Sequence, residues 1–340
     1  MSELQTAKGR VLEMTAALDA ARPGQAAAAL DPFVTEDWHW RGVHPFHELS
    51  GAPAVDAAYL SPLAQAFAPL QRRRDIFFAA RNGLEDGASG PWVVEMGHLL
   101  GLWRQPFLGL RPTGRAAFLR YCDFHRMEGD RIAETAHFLD LMNLLHQTGT
   151  RALPESTGVT LVTPGPMTHD GLVFGERPAE EGKTTLALIE RMIARLVATG
   201  VRTTREDLEL DWREDMLWWG PGGIGASYSF DGYLEGHTRP FEAGLEFISH
   251  NGHVMRGGEG MFGGFFGWPS LTMRPTGGYL GLTSASERTA DMRIVDLYRR
   301  DGDRLAENWI FIDHLHFLDQ LGVDLLERAR RLDRGVVDPG

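Results

Sequence analysis

The chain has 340 residues, 43% of them hydrophobic and 24% charged, which is the balance of a globular protein with room for two ordinary domains. Its 46 acidic residues exceed its 34 Lys and Arg residues, and the net charge of −12 argues against nucleic acid or an anionic membrane as partner. Cys122 is the only cysteine, no signal peptide or membrane span is recognisable, and we expect a soluble, cytoplasmic protein without disulfides.

Apolar residues at helical spacing predict helices over 4–21 and 25–30. A short strand containing paired tryptophans follows, and then a loop and a helix over about 53–68. Gly129 and Asp130 form a strong hairpin signal near the end of the first half. The segments with strand character lie at 74–80, 92–102, 115–127 and 131–139.

Two blocks of sequence recur in the same order. GHLLGLWRQPFLGLRPTG at 97–114 matches GMFGGFFGWPSLTMRPTG at 260–277 with an offset of 163 (260 − 97). DFHRMEGDRIAETAHFLDLMNLLHQTG at 123–149 matches DLYRRDGDRLAENWIFIDHLHFLDQLG at 296–322 with an offset of 173 (296 − 123). Two ungapped matches of this length indicate a duplication.

The duplication predicts two domains, 1–149 and 183–340, joined by a connector at 150–182 that is rich in proline and glycine. A connector of this length is expected to pack along one of the domains. Each copy places helices before a long antiparallel meander, which is typical of the α+β class. We therefore expect tandem cone-shaped domains, each with N-terminal helices packed on a strongly curved antiparallel or mixed sheet that encloses a pocket.

The segment FLGLRPTGRAAFLRYCDFHRMEGDRIAETAHFLDLMNLLHQTG at 107–149 resembles the C-terminal half of SnoaL-like polyketide cyclases, within the nuclear transport factor 2-like superfold. Those domains show a GxPPTG turn, a DGKI hairpin and an LLxQLG end. The resemblance implies acid–base catalysis without metal or cofactor. It also implies a polar pair on the strands that flank the hairpin. Those positions carry Asp123 and His137 here, and Asp296 and Ile310 in the second copy, which lacks the pair.

An Asp and a His on adjacent antiparallel strands can act together, because the carboxylate orients the imidazole and raises its basicity. Alternation along the strands places Tyr121 and His125 on the face of Asp123, and Thr135 on the face of His137. His137 is the candidate base, and Tyr121 or His125 the candidate stabiliser of an enolate. The alternative is a buried polar pair whose members only satisfy each other.

Aromatic and polar residues near the expected pocket are candidates for substrate binding. The large aromatic ones are also typical of a packed core. The candidates are Trp38, Trp40, His98, Trp103 and Thr135.

Three His pairs have ligand-capable side chains but no spacing of a known metal motif, so no metal is expected. A short basic run, Arg72 to Arg74, is expected to be a solvated strand start. The His pairs are His44 with His47, His250 with His253, and His314 with His316.

Three functions remain open from the sequence. The first is a cyclase, isomerase or lyase that acts on a small hydrophobic carbonyl compound in the first copy. The second is a non-catalytic small-molecule binding protein, and the third is an interaction scaffold with filled cones. Sheets of this superfold often pair face to face, so the resemblance also implies an intramolecular pseudo-dimer, with a homodimer as a further option.

Overall fold

The computed structural model describes residues 2–154, 156–158 and 162–334. It contains two β-sheets, one from each half of the chain. The first half forms α1 (Glu3–Ala20), α2 (Ala26–Leu30), β1 (Val34–Gly42), β2 (His47–Ser50), α3 (Ala52–Val55), a π-helical turn (Asp56–Leu60), α4 (Ser61–Ala66), β3 (Phe67–Arg81), β4 (Pro91–Trp103), β5 (Ala116–Glu128), β6 (Arg131–Leu139) and α5 (Leu141–Gln147). The second half forms α6 (Ala179–Ala198), α7 (Arg205–Asp211), β7 (Trp212–Trp219), β8 (Ala226–Tyr228), α8 (Ser229–Tyr233), a π-helical turn (Leu234–Thr238), α9 (Arg239–Gly244), β9 (Leu245–His250), β10 (Met255–Glu259), β11 (Phe262–Pro275), a 3₁₀ turn (Tyr279–Gly281), β12 (Ala290–Asp301), β13 (Arg304–Ile312), α10 (His314–Gln320) and α11 (Leu325–Asp333).

The long helix of each half, α1 and α6, packs through an apolar face. The Ser2 side chain caps α1 by accepting a hydrogen bond from the Gln5 N–H. Val11 and Met14 of α1 are buried, and so is Met192 of α6. Burying a side chain of this size stabilises the fold by about 2 kcal/mol, so each helix is held mainly by its apolar face.

The first sheet has the strand order β2-β1-β6-β5-β4-β3, in which β1 and β6 run parallel and the other neighbours antiparallel. β5 and β6 form the expected hairpin, with Gly129 in the left-handed region at φ 61°. β3 is longer than predicted, because α4 ends at Ala66 and the chain enters the strand at Phe67. Pro69 disfavours a helical conformation for the residue before it, which explains the early end of the helix.

The second sheet repeats this order as β10-β11-β12-β13-β7-β8, with β7 and β13 parallel. In place of the single strand β3, both β9 and β10 pair with β11. The expected α+β class and the tandem arrangement are confirmed.

The second of the two matching sequence blocks is a true structural equivalence. Asp140 and Asp313 both cap the helix after the hairpin, and their offset is 173 (313 − 140). The first block is not structurally equivalent. Met96 of β4 pairs with Cys122, and Phe266 of β11 pairs with Val295, the residue that corresponds to Cys122. β4 and β11 therefore correspond at an offset of 170 (266 − 96) rather than 163. Shared glycines and a common RPTG tetrapeptide explain the sequence match.

The two sheets pack against each other through one face each, and aromatic side chains fill the space between them. Phe124 and Phe138 of the first sheet contact Phe266 of the second. Two further aromatic contacts extend this interface. The Arg120 guanidinium lies 4.1 Å from the Phe311 ring of the second half. The Trp268 ring, which Arg293 of its own half covers at 4.0 Å, packs edge-on against Phe138 of the first half.

Two hydrogen bonds from backbone N–H groups to carboxylates join the halves reciprocally. The Gly222 N–H donates to the Asp140 carboxylate at 3.0 Å, and the His44 N–H donates to the Asp313 carboxylate at 2.9 Å. Each helix-capping carboxylate therefore serves its own helix and the opposite half at once.

A buried ion pair also joins the halves. Lys8 of α1 donates to the Glu259 carboxylate of β10 at 2.7 Å, and both side chains are almost fully shielded from solvent. Lys8 donates to the Val173 carbonyl as well, and Glu259 accepts from the Ala79 N–H. Because every charge has a partner, this ion pair holds α1, the connector and β10 in one arrangement.

The connector contacts both halves rather than one. The Phe77 N–H of β3 donates to the Gly171 carbonyl, while Asp170 pairs with Arg299 of β12 at 2.9 Å. α6 begins at Ala179, ahead of the expected start of the second domain at 183. Among the residues that the structure describes, no helix combines the length and the apolar character needed to cross a membrane.

Candidate active site in the first half

A cavity of about 200 Å³ lies between the sheet of the first half and the helices that cover it. A cavity of roughly 150 Å³ is enough for a benzene-sized ligand, so this one has room for a small organic molecule. Its walls are mainly apolar, and they include Met14, Leu18, Leu30, Leu63, Leu70 and Leu99.

Polar side chains of the β5–β6 hairpin form one end of this cavity. The strand register sets Asp123 opposite His137 and His125 opposite Thr135. All four point to the cavity side of the sheet and line the cavity. The structure thus brings together four of the polar residues that the sequence singled out.

Asp123, His137 and Tyr59 form a continuous chain of hydrogen bonds. His137 Nδ1 lies 2.5 Å from Asp123 Oδ1, and His137 Nε2 lies 2.7 Å from the Tyr59 hydroxyl. Because a carboxylate only accepts, Nδ1 carries the proton, and Nε2 accepts from the tyrosine when the imidazole is neutral. This sets the basic nitrogen toward Tyr59, which also lines the cavity.

Tyr59 was missed by the sequence analysis. It lies on the π-helical turn Asp56–Leu60, within the segment predicted as a single helix over 53–68. Its ring stacks on Trp40 at 5.5 Å, and Trp40 in turn stacks on His137 at 5.7 Å. The sequence signal for Tyr59 was a tyrosine within an apolar helical segment. Its contact with His137 depends on how the helices pack on the sheet, which the sequence does not show.

A second chain of hydrogen bonds runs through Thr135. The Trp38 indole N–H donates to the Thr135 hydroxyl at 3.0 Å, and that hydroxyl lies 2.9 Å from His125 Nδ1. When the hydroxyl donates to Nδ1, the proton of neutral His125 is on Nε2. That nitrogen lies 4.0 Å from Asp123 Oδ2 and has no hydrogen-bond partner among the described residues.

Burial and charge act in opposite directions on Asp123. Burial has the largest effect and would raise the pKa of its carboxyl, but the charge and hydrogen bond of His137, together with the charges of His125 and Arg72, lower the pKa overall. The pKa of His125 is lowered, mainly by burial, although the Asp123 carboxylate opposes the shift. At neutral pH the site therefore holds an ionised Asp123 and a neutral His125.

Glu95 is a buried carboxylate behind this site that the sequence analysis did not identify. Its oxygens accept from Arg72 at 3.0 Å and from Arg74 at 2.6 Å. The expectation that Arg72 to Arg74 form a solvated strand start is wrong for two of the three, because alternation turns both inward to Glu95 and leaves Arg73 exposed. Arg72 also lines the cavity.

Tyr121 lies beside the pair rather than in the cavity wall. Its ring is 6.5 Å from that of His137, and the Arg72 guanidinium lies 5.2 Å from its centroid. Burial raises the pKa of Tyr121 well above its ordinary value, so the phenol keeps its proton. Tyr121 is therefore a neighbour of His137 but does not line the cavity.

The predicted substrate-binding residues divide into two groups. Trp38, Trp40 and Thr135 line the cavity. His98 lies on the opposite face of β4, where its Nδ1 is 3.1 Å from the Asp75 carboxylate. Trp103 is fully buried against Phe67 in the core. The structure does not bring His98 or Trp103 to the cavity.

Within the described part of the chain, one group of three metal-capable side chains comes together: Glu95, Asp123 and His125, with ligand atoms within 4.8 Å of one another. The Glu95 carboxylate is already shared by Arg72 and Arg74. A cation there would meet two guanidinium charges, so these residues are a poor fit for a metal. The three His pairs are not among such groups.

A family model matches part of the first half. Residues 13–148 match the model described as SnoaL-like polyketide cyclase. Solved structures with partial likeness include a candidate SnoaL-like polyketide cyclase from Jannaschia sp. CCS1, with 16% identity over 43% of this chain and 92% of that one, at a TM-score of 0.35. TsrD from Streptomyces laurentii has 20% identity over 42% of this chain and 96% of that one, at a TM-score of 0.33. A comparison with curated protein sequences finds no match.

Proposed function

We propose that the first half is a cofactor-independent acid–base enzyme of SnoaL-like type, a cyclase, isomerase or lyase acting on a small, largely apolar carbonyl compound. The observation that carries the proposal is the 2.5 Å hydrogen bond between Asp123 and His137 at the polar end of an apolar cavity. A carboxylate–imidazole pair shielded from bulk water is suited to removing a proton from carbon next to a carbonyl group.

In this mechanism His137 Nε2 accepts the proton, and the electron pair of the C–H bond moves into the carbonyl group to give an enolate. Asp123 stabilises the imidazolium through Nδ1. The substrate carbon takes the position at Nε2 that the Tyr59 hydroxyl holds in this structure, and the hydroxyl turns to donate to the enolate oxygen. The proton then returns to carbon in an isomerisation, or goes to the new alkoxide if the enolate attacks a second carbonyl group.

His125 supplies a second donor for the enolate oxygen. Its Nε2 has no hydrogen-bond partner among the described residues, and Nε2 carries the proton when the Thr135 hydroxyl donates to Nδ1. Because His125 is neutral, it donates without bringing a full positive charge next to His137.

The cavity and its polar residues also argue against the two alternative functions, a scaffold and a non-catalytic binding protein. A pure scaffold predicts filled domains, and a cavity of about 200 Å³ with four polar residues at one end argues against it. A non-catalytic binding protein predicts no aligned acid–base pair, whereas Asp123 and His137 are in hydrogen-bond contact.

Hydrogen–deuterium exchange at carbon tests the proposal. The full chain is incubated in D₂O with 1-tetralone and acetophenone, and deuterium entering next to the carbonyl group is followed by NMR. Loss of a general base typically costs 10²–10⁴-fold, so His137→Ala should lower the exchange rate by about 100-fold or more.

His98→Gln is the matched control, because His98 is a buried His on the other face of the same sheet and should leave the rate unchanged. Equal exchange rates for the unmodified chain and His137→Ala would contradict the assignment of the base. Ketone binding without exchange would favour a binding protein instead.

We also propose that the tandem chain acts as a covalent pseudo-dimer, in which the second half supports the first. The reciprocal bonds of Asp140 to Gly222 and of Asp313 to His44 support this, because two identical subunits related by a two-fold axis would make the same paired contacts.

A further inference from the structure

The second half has its own cavity, of about 110 Å³, at the position that corresponds to the candidate active site. Met192 and Trp218 line it, and Met14 and Trp40 line the first cavity 178 residues earlier in each case (192 − 14 and 218 − 40). The hairpin residues correspond as well, since Asp296 lines this cavity and Asp123 the first.

The walls of this second cavity are mainly apolar, and most of its polar groups lie on the β12–β13 hairpin and the π-helical turn. No Lys, Arg or Glu is among the described residues that line it. The apolar wall includes Leu196, Val201, Leu271, Ile294, Ile310 and Ile312, and the polar groups are Thr203, Tyr233, His237, Thr238, Asp296, Tyr298 and Asn308.

The chemistry at the polar end differs from that of the first half. Ile310 stands opposite Asp296, where His137 stands opposite Asp123, so the carboxyl has no imidazole partner. The Asn308 side-chain amide donates to Asp296 Oδ1 at 2.9 Å instead. Burial without a cation raises the pKa of Asp296 to about 7, so a large fraction of the group is a neutral carboxylic acid with a proton to donate.

His237 occupies the position of Tyr59, 178 residues later (237 − 59). Its ring stacks on Trp218 at 4.1 Å, and its Nδ1 has no hydrogen-bond partner among the described residues. Burial lowers the pKa of His237 to about 3, so the ring is neutral. An apolar cavity with a neutral acid and a neutral, incompletely satisfied imidazole favours an uncharged ligand.

We propose that this second cavity is a separate binding site for a small, uncharged ligand carrying a hydrogen-bond acceptor such as a carbonyl oxygen, which receives the proton of Asp296. The site binds without acid–base turnover, because the residue opposite Asp296 is Ile310. The two halves thus share one architecture but differ at the positions of Tyr59 and His137. The first cavity is suited to proton transfer, and the second to binding an uncharged ligand.

The test uses cyclopentanone as the probe, since it is small enough for the cavity and its oxygen only accepts. The full chain carries ¹³C-labelled isoleucine methyl groups, and cyclopentanone is titrated at about pH 6 and about pH 8.5, on either side of the pKa of Asp296. The methyl signals of Ile294, Ile310 and Ile312 should shift on binding. Binding should be about 30-fold weaker at the higher pH, because only the protonated carboxyl can donate and its share falls by about that factor between the two pH values.

The other titratable groups lining the cavity keep their charge between these two pH values. Burial holds the pKa of Tyr233 and Tyr298 above the range, and that of His237 below it. Asp296→Asn retains a donor at every pH, so its binding should not depend on pH. Asp123→Asn, in the other cavity, should leave the pH dependence of the three methyl shifts unchanged.

Two results would overturn the proposal. One is the absence of shifts at Ile294, Ile310 and Ile312 at both pH values while the Ile76 and Ile132 signals show a folded protein. The other is equal affinity at both pH values for the unmodified chain. Either result concerns the second cavity alone and is independent of deuterium exchange in the first half.

Discussion

Glu95 holds two guanidinium groups behind the candidate active site, and its own side chain is fully buried. In Glu95→Gln the buried Arg72 loses its buried counter-charge and keeps only the partly exposed Asp19 carboxylate at 3.2 Å, which should lower the free energy of unfolding by about 3 kcal/mol. Urea unfolding measures this change. Glu128→Gln is the control, because Glu128 is exposed and pairs with Arg126 at 3.7 Å, and such a pair contributes about 1 kcal/mol or less. Equal losses in the two variants would contradict the structural role given to Glu95.

Individual residues also show where sequence reasoning ends. Asp123 and His137 could be paired because both lie on one hairpin, whose turn at Gly129 and Asp130 is a local signal. Tyr59 belongs to a separate helical segment, and no local sequence pattern predicts the 2.7 Å contact between its hydroxyl and His137 Nε2. His98 was placed at the pocket because the register of β4 on β5 cannot be determined from one strand alone, and a shift of one residue reverses the face.

At the scale of elements, α5 depends on Asp140 for two kinds of contact. Asp140 caps the helix through the Asn143 N–H at 2.9 Å and accepts from Gly222 of the other half at 3.0 Å. Asp140→Ala removes a cap worth about 1 kcal/mol and leaves a buried N–H unsatisfied at a cost of about 1–3 kcal/mol. It also removes the carboxylate that lies 3.8 Å from the buried Arg120 guanidinium. The free energy of unfolding should therefore fall by about 3 kcal/mol in urea titration.

Asp324→Ala is the matched control for this prediction. Asp324 caps α11 through the Glu327 N–H at an exposed position, so its loss should cost only the cap, about 1 kcal/mol. If the two variants lose the same stability, the bond from Gly222 to Asp140 contributes nothing to joining the halves.

The elements themselves were largely predictable. β4, β5 and β6 lie within a few residues of the predicted strands, because alternation and turn residues are local signals. The segment at 53–68 became two helices around a π-helical turn, followed by the start of β3. The repeat identified the tandem fold correctly through 123–149 and 296–322, whereas glycine-rich composition produced a misleading match upstream.

The whole molecule should lose stability steeply in mild acid, because several histidines are buried in the neutral form. Burial lowers the pKa of His237, His253 and His314 to about 3 in the folded chain, against about 6.5 when unfolded. Between these values the unfolded chain binds more protons, so stability falls as the pH decreases below about 6.5. Asp296, with its pKa raised to about 7, acts in the opposite direction, and so do Asp313 and Glu307, whose pKa values burial also raises. Burial lowers the pKa of a further histidine, His316, to about 4.

For His237, His253, His314 and Asp296 together, the unfolded chain binds about two protons more than the folded chain near pH 5, where stability changes by about 3 kcal/mol per pH unit. Urea midpoints measured between about pH 7 and about pH 5 should therefore fall, and His253→Phe should flatten the dependence, because it removes one titrating ring while keeping the stack on Phe265 at 3.8 Å. A midpoint that stays level or rises on acidification would show that these rings are solvated in the folded protein, and the close packing of the second half around them would then be wrong.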